Sequence, residues 1–148
     1  MRDNKLIAID LFCGCGGFSY GFQQAGFEMA LGIDMWKDAT ITYKHNFPGA
    51  NVINEDITLI DAETILSKAG CKKEEIDVII GGPPCQGFSV AGARNGNDPR
   101  NLLVFKQIRA IELIRPVFCM VENVGGFARK FVQRPIDNVT VSVAEAAI

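Results

Sequence analysis

One segment of the sequence has the residue types of a nucleophilic site. The apolar run Asp77–Ile80 leads into Gly81-Gly82-Pro83-Pro84-Cys85-Gln86-Gly87, which is too rich in glycine and proline for a helix or a strand. Such a loop can present Cys85 as a nucleophile, because prolines fix the backbone and glycines permit close approach. The alternative is a tight turn with an incidental buried cysteine, since a free cysteine often serves only as a small apolar residue.

A second group of residues indicates a nucleoside pocket. The segment Asp10–Gly17 joins an apolar run to a glycine-rich turn, but Ser19 stands where the dinucleotide-binding fingerprint requires glycine. Asp34 closes the next apolar run, where it can accept hydrogen bonds from both hydroxyls of a ribose. Asp56 closes the third run and could accept from an adenine amino group. The alternative is a structural turn accompanied by two aspartates that cap helices.

Glu122 ends another apolar run, Val117–Val121. We expect the apolar neighbours to desolvate its carboxyl and raise its pKa, which would let it hold a proton near neutral pH. A side chain turned to solvent is the alternative. Met35 and Trp36 directly follow Asp34, so one of them is expected to pack on an adenine face, or else in the core.

The elements that position these residues alternate between strand and helix patterns. The sequence predicts strands over 5–12, 27–33, 51–54, 77–81 and 117–121, and helices over 18–26, 37–46, 61–69 and 100–115. The strand segments are continuously apolar, which is typical of a parallel sheet covered on both faces. We therefore predict an α/β fold: a Rossmann-like, mostly parallel sheet with helices on both faces. Ligands bind such sheets at the carboxyl ends of the strands, where the candidate residues lie.

Composition excludes several classes of protein. With 148 residues, 48% of them hydrophobic and 22% charged, the chain is expected to form a globular domain. Its apolar runs fall well short of the ~18 residues of a membrane span, and its start does not resemble a signal peptide, so a cytoplasmic location is expected. Five cysteines without a Cys-x-x-Cys pair, and the single histidine His45, argue against a disulfide framework and against a metal site.

Charge is unevenly distributed along the chain. The net charge is −2 overall, but residues 1–77 carry −5 and residues 78–148 carry +3. The positive half contains Cys85, which weakly favours a polyanionic partner near that loop. Chance placement of surface charge explains the same numbers equally well.

Together, the motifs resemble those of the DNA (cytosine-5)-methyltransferases, which use S-adenosylmethionine. The segment Asp10–Ser19 is similar to the first cofactor motif of that family, and Gly82–Ser89 is similar to its nucleophile motif. Arg100–Leu103 resembles the helix start that follows, and Glu122–Val124 resembles the cytosine-binding motif. The resemblance covers residues 5–128, so it implies a partial cofactor-binding and catalytic domain over 1–128 and leaves 129–148 as an unassigned tail.

The resemblance also implies roles for individual residues. Cys85 attacks carbon 6 of cytosine as a thiolate, and Glu122 holds the edge of the ring at nitrogen 3. The target base must leave the DNA duplex to be reached, so base flipping is implied. The residues implied to contact the cofactor, with Asp34 on its ribose and Met35 on its adenine, are Phe12, Cys15, Gly17, Asp34, Met35, Asp56, Ile57, Pro84 and Leu103.

The sequence departs from that family in its C-terminal part. Family members are usually much longer, and this chain has neither a Gln-x-Arg-x-Arg motif nor a target-recognition region. A truncated gene, a split enzyme and a deliberate fragment all account for this. We expect methylation of DNA to need a missing C-terminal half or a second polypeptide. The alternatives are a tRNA cytosine-5 methyltransferase, and an inactive remnant or subunit that binds only S-adenosylmethionine or a partner chain.

Overall fold

The computed structural model describes residues 5–84 and 103–123. The strands are β1 (Leu6–Leu11), β2 (Phe27–Asp34), β3 (Asn51–Asn54), β4 (Val78–Gly81) and β5 (Phe118–Val121). The helices are α1 (Gly17–Gln24), α2 (Lys37–Asn46), α3 (Ala62–Ala69) and α4 (Leu103–Ile114). Every predicted strand and helix is found, and the structure adds two short 3₁₀ turns at Ile57–Leu59 and Lys73–Glu75. The first three residues of the helix predicted over 100–115 lie outside the described residues.

The five strands form one parallel sheet in the order β3-β2-β1-β4-β5. The chain runs outward from β1 to β3 and then returns to the other side of β1 to form β4 and β5. The order of the strands therefore reverses between β1 and β4, and sheets of this kind bind ligands in a crevice at the carboxyl ends of the strands beside such a point. All five strands point the same way, so the residues that follow them meet at one edge of the sheet, as predicted.

Helices cover both faces of the sheet, which confirms the predicted fold class. On one face, α3 and α4 enclose an apolar cluster around Ile9, Leu31 and Ile79. On the other face, α1 and α2 lie over a second cluster that contains Val78 and Tyr43. Successive residues of β1 alternate between the two clusters because side chains alternate along a strand. Strands buried on both sides need the continuous apolar runs that the sequence shows.

The ends of α3 match the capping signals in the sequence. The Asp61 carboxylate accepts a hydrogen bond of 2.7 Å from the Thr64 amide, and this bond lowers the pKa of that carboxyl. Gly70 adopts the left-handed conformation at the other end, with φ +68°. Among the described residues, no helix is long and apolar enough to cross a membrane.

Gly81 is required at the end of β4 because a side chain has no room there. A Cβ atom on this residue would overlap the Leu11 carbonyl oxygen and lie 2.9 Å from Nε2 of Gln107. We expect Gly81→Ala to lower the free energy of unfolding by about 1–3 kcal/mol, because backbone atoms of the central sheet would have to move. The measurement is urea unfolding followed by circular dichroism.

Gly49→Ala is the matched control for Gly81→Ala, since nothing lies within 4 Å of a Cβ at that position. It should leave the free energy of unfolding nearly unchanged. Equal losses in the two variants would mean that the close contact at Gly81 is not what limits the size of this residue.

Candidate functional site

The glycine-rich turn after β1 is anchored to the neighbouring strand. The amides of Phe12 and Cys13 both donate hydrogen bonds of 2.9 Å to the Ile33 carbonyl of β2. Phe12 has φ +75°, an unfavourable backbone conformation for a non-glycine residue. Its half-buried side chain packs against the apolar cluster under α3 and α4. Strain held in place by surrounding contacts at a strand end is a recurring property of binding sites.

Asp34 ties that turn to the end of β2. One carboxylate oxygen accepts a hydrogen bond of 2.8 Å from the Gly14 amide, and the other accepts one of 2.8 Å from the Trp36 amide. A carboxylate oxygen can accept more than one hydrogen bond, so this carboxylate can also accept from the hydroxyls of a ligand. The sequence predicted Asp34 as a ligand contact but did not reveal that it also orders the turn.

The end of β3 is held beside Asp34. The Glu55 amide and the Asn54 side chain both donate to the Asp34 carbonyl, each over 3.1 Å. Asp56 follows, and one of its carboxylate oxygens accepts a hydrogen bond of 2.8 Å from the Thr58 amide. The two carboxylates predicted for a nucleoside therefore close adjacent parallel strands at the same edge of the sheet.

The apolar residues predicted to contact the cofactor fall into two groups, one packed in the core and one exposed. Phe12, Ile57 and Leu103 all belong to the cluster under α3 and α4 or pack against it, so the fold brings together three residues far apart in sequence. Met35 is instead 70% exposed, and the next residue, Trp36, is 64% exposed. Exposed large apolar side chains directly after Asp34 offer a surface on which a planar ring can stack.

Three further predicted positions follow the carboxyl ends of β1 and β4. Cys15 is exposed in the glycine-rich turn, and Gly17 is the first residue of α1. Pro84 is exposed three residues after β4 ends, and the next residue, Cys85, lies outside the described residues. The structure therefore shows the approach to the predicted nucleophile but not the nucleophile itself.

Glu122 lies against the segment that leads to Cys85. Its amide donates a hydrogen bond of 3.0 Å to the Gly81 carbonyl, and a Cβ on Gly82 would lie 3.0 Å from its carboxylate. The expectation that apolar neighbours bury this carboxyl is wrong, because Glu122 is exposed. The prediction assumed a covered β5, whereas Phe118 and Met120 are 43% and 45% exposed. The carboxylate is therefore open to a ligand that enters the crevice.

Gln107 links the ends of β4 and β5, a function that the sequence did not suggest. This α4 side chain is fully buried, and its Nε2 lies 3.5 Å from the carbonyl oxygens of both Gly81 and Met120. The Gly81 carbonyl directly precedes Gly82, and the Met120 carbonyl lies two residues before Glu122. The only sequence signal is a polar residue on the apolar stripe of α4, which periodicity alone does not distinguish from a surface position.

A buried polar network also lies beneath the glycine-rich turn, joining β1, α1 and α2. Ser19 donates a hydrogen bond of 2.6 Å to one oxygen of Asp10, and it lies 2.9 Å from the Tyr43 hydroxyl. The other oxygen of Asp10 is buried and has no hydrogen-bond partner within the described ranges 5–84 and 103–123. Burial raises the pKa of Asp10 to about 7, with the Ser19 hydrogen bond opposing the rise and the nearby Asp34 adding to it. Burial similarly raises the pKa of Tyr43 and of the adjacent Cys13.

The raised pKa of Asp10 predicts how stability changes with pH. The folded chain holds this proton to about pH 7, whereas an unfolded aspartate loses it near pH 4. The stabilising contribution of the protonated carboxyl is complete below about pH 4 and is lost as the pH rises to about 7. Compared with Asp10→Asn, which cannot ionise, the wild-type chain should lose about 3 kcal/mol of unfolding free energy between pH 5 and pH 8.

Urea unfolding of the two proteins across that range measures the difference, and the asparagine keeps an acceptor for Ser19. Parallel pH profiles for wild type and Asp10→Asn would contradict the raised pKa. If the wild-type chain instead loses unfolding free energy relative to Asp10→Asn as the pH falls, the pKa of Asp10 is lowered and not raised.

Comparison with known proteins identifies the family. A sequence model of the C-5 cytosine-specific DNA methylases matches residues 6–145. The chain belongs to this family. Solved structures share the fold. A DNA modification methyltransferase from an E. coli prophage is 39% identical to this chain, with a TM-score of 0.72, and the match covers 83% of this chain and 33% of that one. DNMT2 of Spodoptera frugiperda is 28% identical with a TM-score of 0.64, over 87% of this chain and 38% of that one.

Curated relatives are bacterial methyltransferases. The type II methyltransferase M.DdeI of Desulfomicrobium norvegicum is 47% identical over 80% of this chain and 28% of its own length. M1.HphI of Haemophilus parahaemolyticus is 43% identical over 82% of this chain and 33% of its own length. M.HgiGI of Herpetosiphon aurantiacus is 42% identical over 78% of this chain and 88% of its own length. The resemblance to cytosine-5 methyltransferases is thus confirmed, and the chain spans a third or less of the first two relatives.

Proposed function

We propose that this methylase chain is the N-terminal catalytic part of a DNA (cytosine-5)-methyltransferase. It would transfer a methyl group from S-adenosylmethionine to carbon 5 of cytosine through a covalent cysteine adduct. The observation that carries the proposal is the meeting of two groups at one edge of the sheet. The glycine-rich turn pinned by Asp34 lies at the ends of β1 and β2, and Gly82 with Glu122 lies at the ends of β4 and β5.

The described residues fit the chemistry of S-adenosylmethionine. Its ribose offers two hydroxyl donors and its adenine offers an amino donor, and the carboxylates of Asp34 and Asp56 close adjacent strands as acceptors. Met35 and Ile57 offer apolar surface to the adenine, and Pro84 and Leu103 border the crevice on the β4 side. Phe12, Cys15 and Gly17 belong to the turn and helix start that would lie against the methionine portion. When bound, the cofactor supplies an electrophilic methyl group carried on a sulfonium.

Two side chains would act on the cytosine ring. The Cys85 thiolate adds to carbon 6, a new C–S bond forms, and the electrons of the 5,6 double bond move toward carbon 5. Glu122 donates a proton or hydrogen bond at nitrogen 3, where negative charge would otherwise accumulate. Its exposure makes the carboxylate accessible to a base that has been flipped out of the duplex. After carbon 5 has accepted the methyl group, with a neutral thioether as the leaving group, a solvent base takes the carbon-5 proton. The double bond then re-forms, the Cys85 thiolate is expelled, and a proton donated at nitrogen 3 returns to Glu122.

A second polypeptide, or a C-terminal part, would complete this enzyme and recognise the DNA sequence. The first two relatives have most of their length beyond the matched region. In the described part of the chain, β5 is an edge strand in which Met120 is 45% exposed, and Val117, the residue before the strand begins, is 77% exposed. Both belong to an apolar surface that further chain could cover. We assign the cofactor-binding and catalytic domain to residues 1–128, with 129–148 outside it.

Methyl transfer to nucleic acid tests the proposal directly. The chain, alone and with a C-terminal part added, would be given tritiated S-adenosylmethionine and either duplex DNA or tRNA. Label at carbon 5 of DNA cytosine supports the proposal, and label in tRNA alone would replace DNA with RNA as the substrate. Cofactor binding without transfer to either, even after completion, would identify a subunit that only binds.

A further inference from the structure

The carboxyl-terminal end of α2 contacts the glycine-rich turn one residue beyond the contact made by Asp34. The Asn46 side-chain amide donates a hydrogen bond of 2.9 Å to the Cys15 carbonyl, across 31 positions of sequence. Cys15 is in the middle of the turn and belongs to the residues proposed to line the cofactor. A side chain of α2 therefore fixes the backbone of the turn at an exposed residue.

The next residue of the chain fills the space beside Gly16. A Cβ atom on Gly16 would overlap the ring of Phe47, and Gly16 has φ +95°, a conformation that favours glycine. Phe47 is 3% exposed, and its ring lies 4.6 Å from that of Tyr43, measured between centroids. Tyr43 in turn contacts Ser19 of α1 through its hydroxyl, at 2.9 Å. Three residues from one helix end thus contact the turn and the helix that follows it.

The helix end is itself fixed in place. Lys44 donates hydrogen bonds to the carbonyls of Pro48 and Ala50, at 3.0 and 2.6 Å, and so closes the chain immediately after α2. The Phe47 amide donates to the Tyr43 carbonyl over 2.8 Å. Tyr43 also packs over Gly32 of β2, where a side chain would collide with its ring. This part of α2 can therefore act as a rigid support for a more strained neighbour.

We propose that Tyr43, Asn46 and Phe47, here called the α2 brace, position the glycine-rich turn so that it binds the cofactor. The brace rests on the proposed function, because it acts on the turn assigned to S-adenosylmethionine. None of its residues needs to touch the cofactor, so they are positioning residues. A turn held in its binding conformation before binding avoids the entropic cost of ordering it when the ligand arrives.

Asn46→Ala tests the brace in the chain as it exists. The substitution removes the donor to Cys15, while alanine favours the helix more than asparagine does, so α2 itself is not weakened. A net hydrogen bond of about 1 kcal/mol predicts roughly fivefold weaker binding of S-adenosylmethionine by calorimetry. The amides of Gly16 and Tyr20 should also exchange with deuterium faster, whereas those of Ile9 and Ile79 in the sheet should not change.

His45→Ala is the matched control, since it makes the same change at the preceding, exposed position of the same helix. It should leave both the affinity and the exchange rates at wild-type values. Unchanged affinity in Asn46→Ala, or faster exchange throughout the sheet, would overturn the brace; the second result would show a general loss of stability.

Failure of the proposed function gives a different result. If the wild-type chain does not bind S-adenosylmethionine, its assignment as the cofactor-binding part is overturned. Deuterium exchange of Asn46→Ala then tests the α2 brace by itself. Faster exchange confined to the turn supports the brace, and unchanged exchange overturns it.

Discussion

Replacing Cys85 with serine is expected to abolish methyl transfer in the completed enzyme. A serine hydroxyl is far less ionised than a thiol near neutral pH, so the attack on carbon 6 loses its nucleophile. By analogy with the removal of other enzymatic nucleophiles, we expect a loss of at least about 10³-fold in kcat. Transfer of tritiated methyl groups to DNA measures this rate. Binding of S-adenosylmethionine should persist, because the substitution leaves Asp34 and the glycine-rich turn unaltered.

Cys71→Ser is the matched control for the nucleophile. Burial raises the pKa of the Cys71 thiol, which makes it a poor nucleophile, and it lies after α3, before β4 begins. Its replacement should leave methyl transfer close to the wild-type rate. DNA that contains 5-fluorocytosine should form a covalent adduct, because the fluorine blocks the last elimination step. An adduct located by mass spectrometry on another residue, or activity that survives Cys85→Ser, would disprove the assignment.

Removal of the Asp34 carboxylate is expected to weaken binding of S-adenosylmethionine by about 100-fold. This carboxylate accepts from the Gly14 and Trp36 amides, and it is proposed to accept from the ribose as well. Hydrogen bonds to a charged group contribute about 1.5–3 kcal/mol each, so losing the ribose contact and loosening the turn together account for roughly 3 kcal/mol. Calorimetric titration of Asp34→Ala measures the affinity in the isolated chain.

Two further variants separate the parts of this effect. Asp38→Ala removes an exposed acid from the first turn of α2 and should leave the affinity unchanged, which controls for net charge. Asp34→Asn keeps one acceptor oxygen but turns an amide donor toward a backbone amide, so its affinity should fall between those of wild type and Asp34→Ala. If Asp34→Ala binds S-adenosylmethionine with wild-type affinity, Asp34 does not contact the cofactor.

The secondary structure and the class of the fold could be predicted from the sequence. Short strand segments that are mostly apolar, separated by helical patterns, permit few arrangements other than a parallel sheet covered on both faces. Asp61 and Gly70 marked the ends of α3 because capping depends on local residue types. The 3₁₀ turn Ile57–Leu59 was not predicted as an element, although capping was the alternative role given to Asp56, and its carboxylate does cap this turn.

The order of the strands and the contacts between motifs required the tertiary structure. Asp10, Ser19 and Tyr43 lie on three different elements, and no local pattern shows that their polar atoms meet in the core. The burial of Gln107 could not be predicted either, because a polar residue on a helix usually faces solvent and only the packing of α4 buries this one. The exposure of Glu122 likewise depends on which elements lie beside β5. The residues that precede Glu122 in the sequence do not determine it.

The sequence by itself determined the family and supplied the motifs on which the proposed chemistry rests, because nucleophile, cofactor and cytosine motifs are local strings whose order survives without coordinates. It placed Asp34, Asp56 and Glu122 at strand ends, since parallel strands bring their carboxyl ends to one edge. Only the tertiary structure decided how the glycine-rich turn is held. Asp34 contacts it from β2, and Asn46 and Phe47 contact it from α2. Those contacts join residues that are 20 to 31 positions apart in sequence. Whether residues so far apart in sequence come into contact depends on how the whole sheet packs.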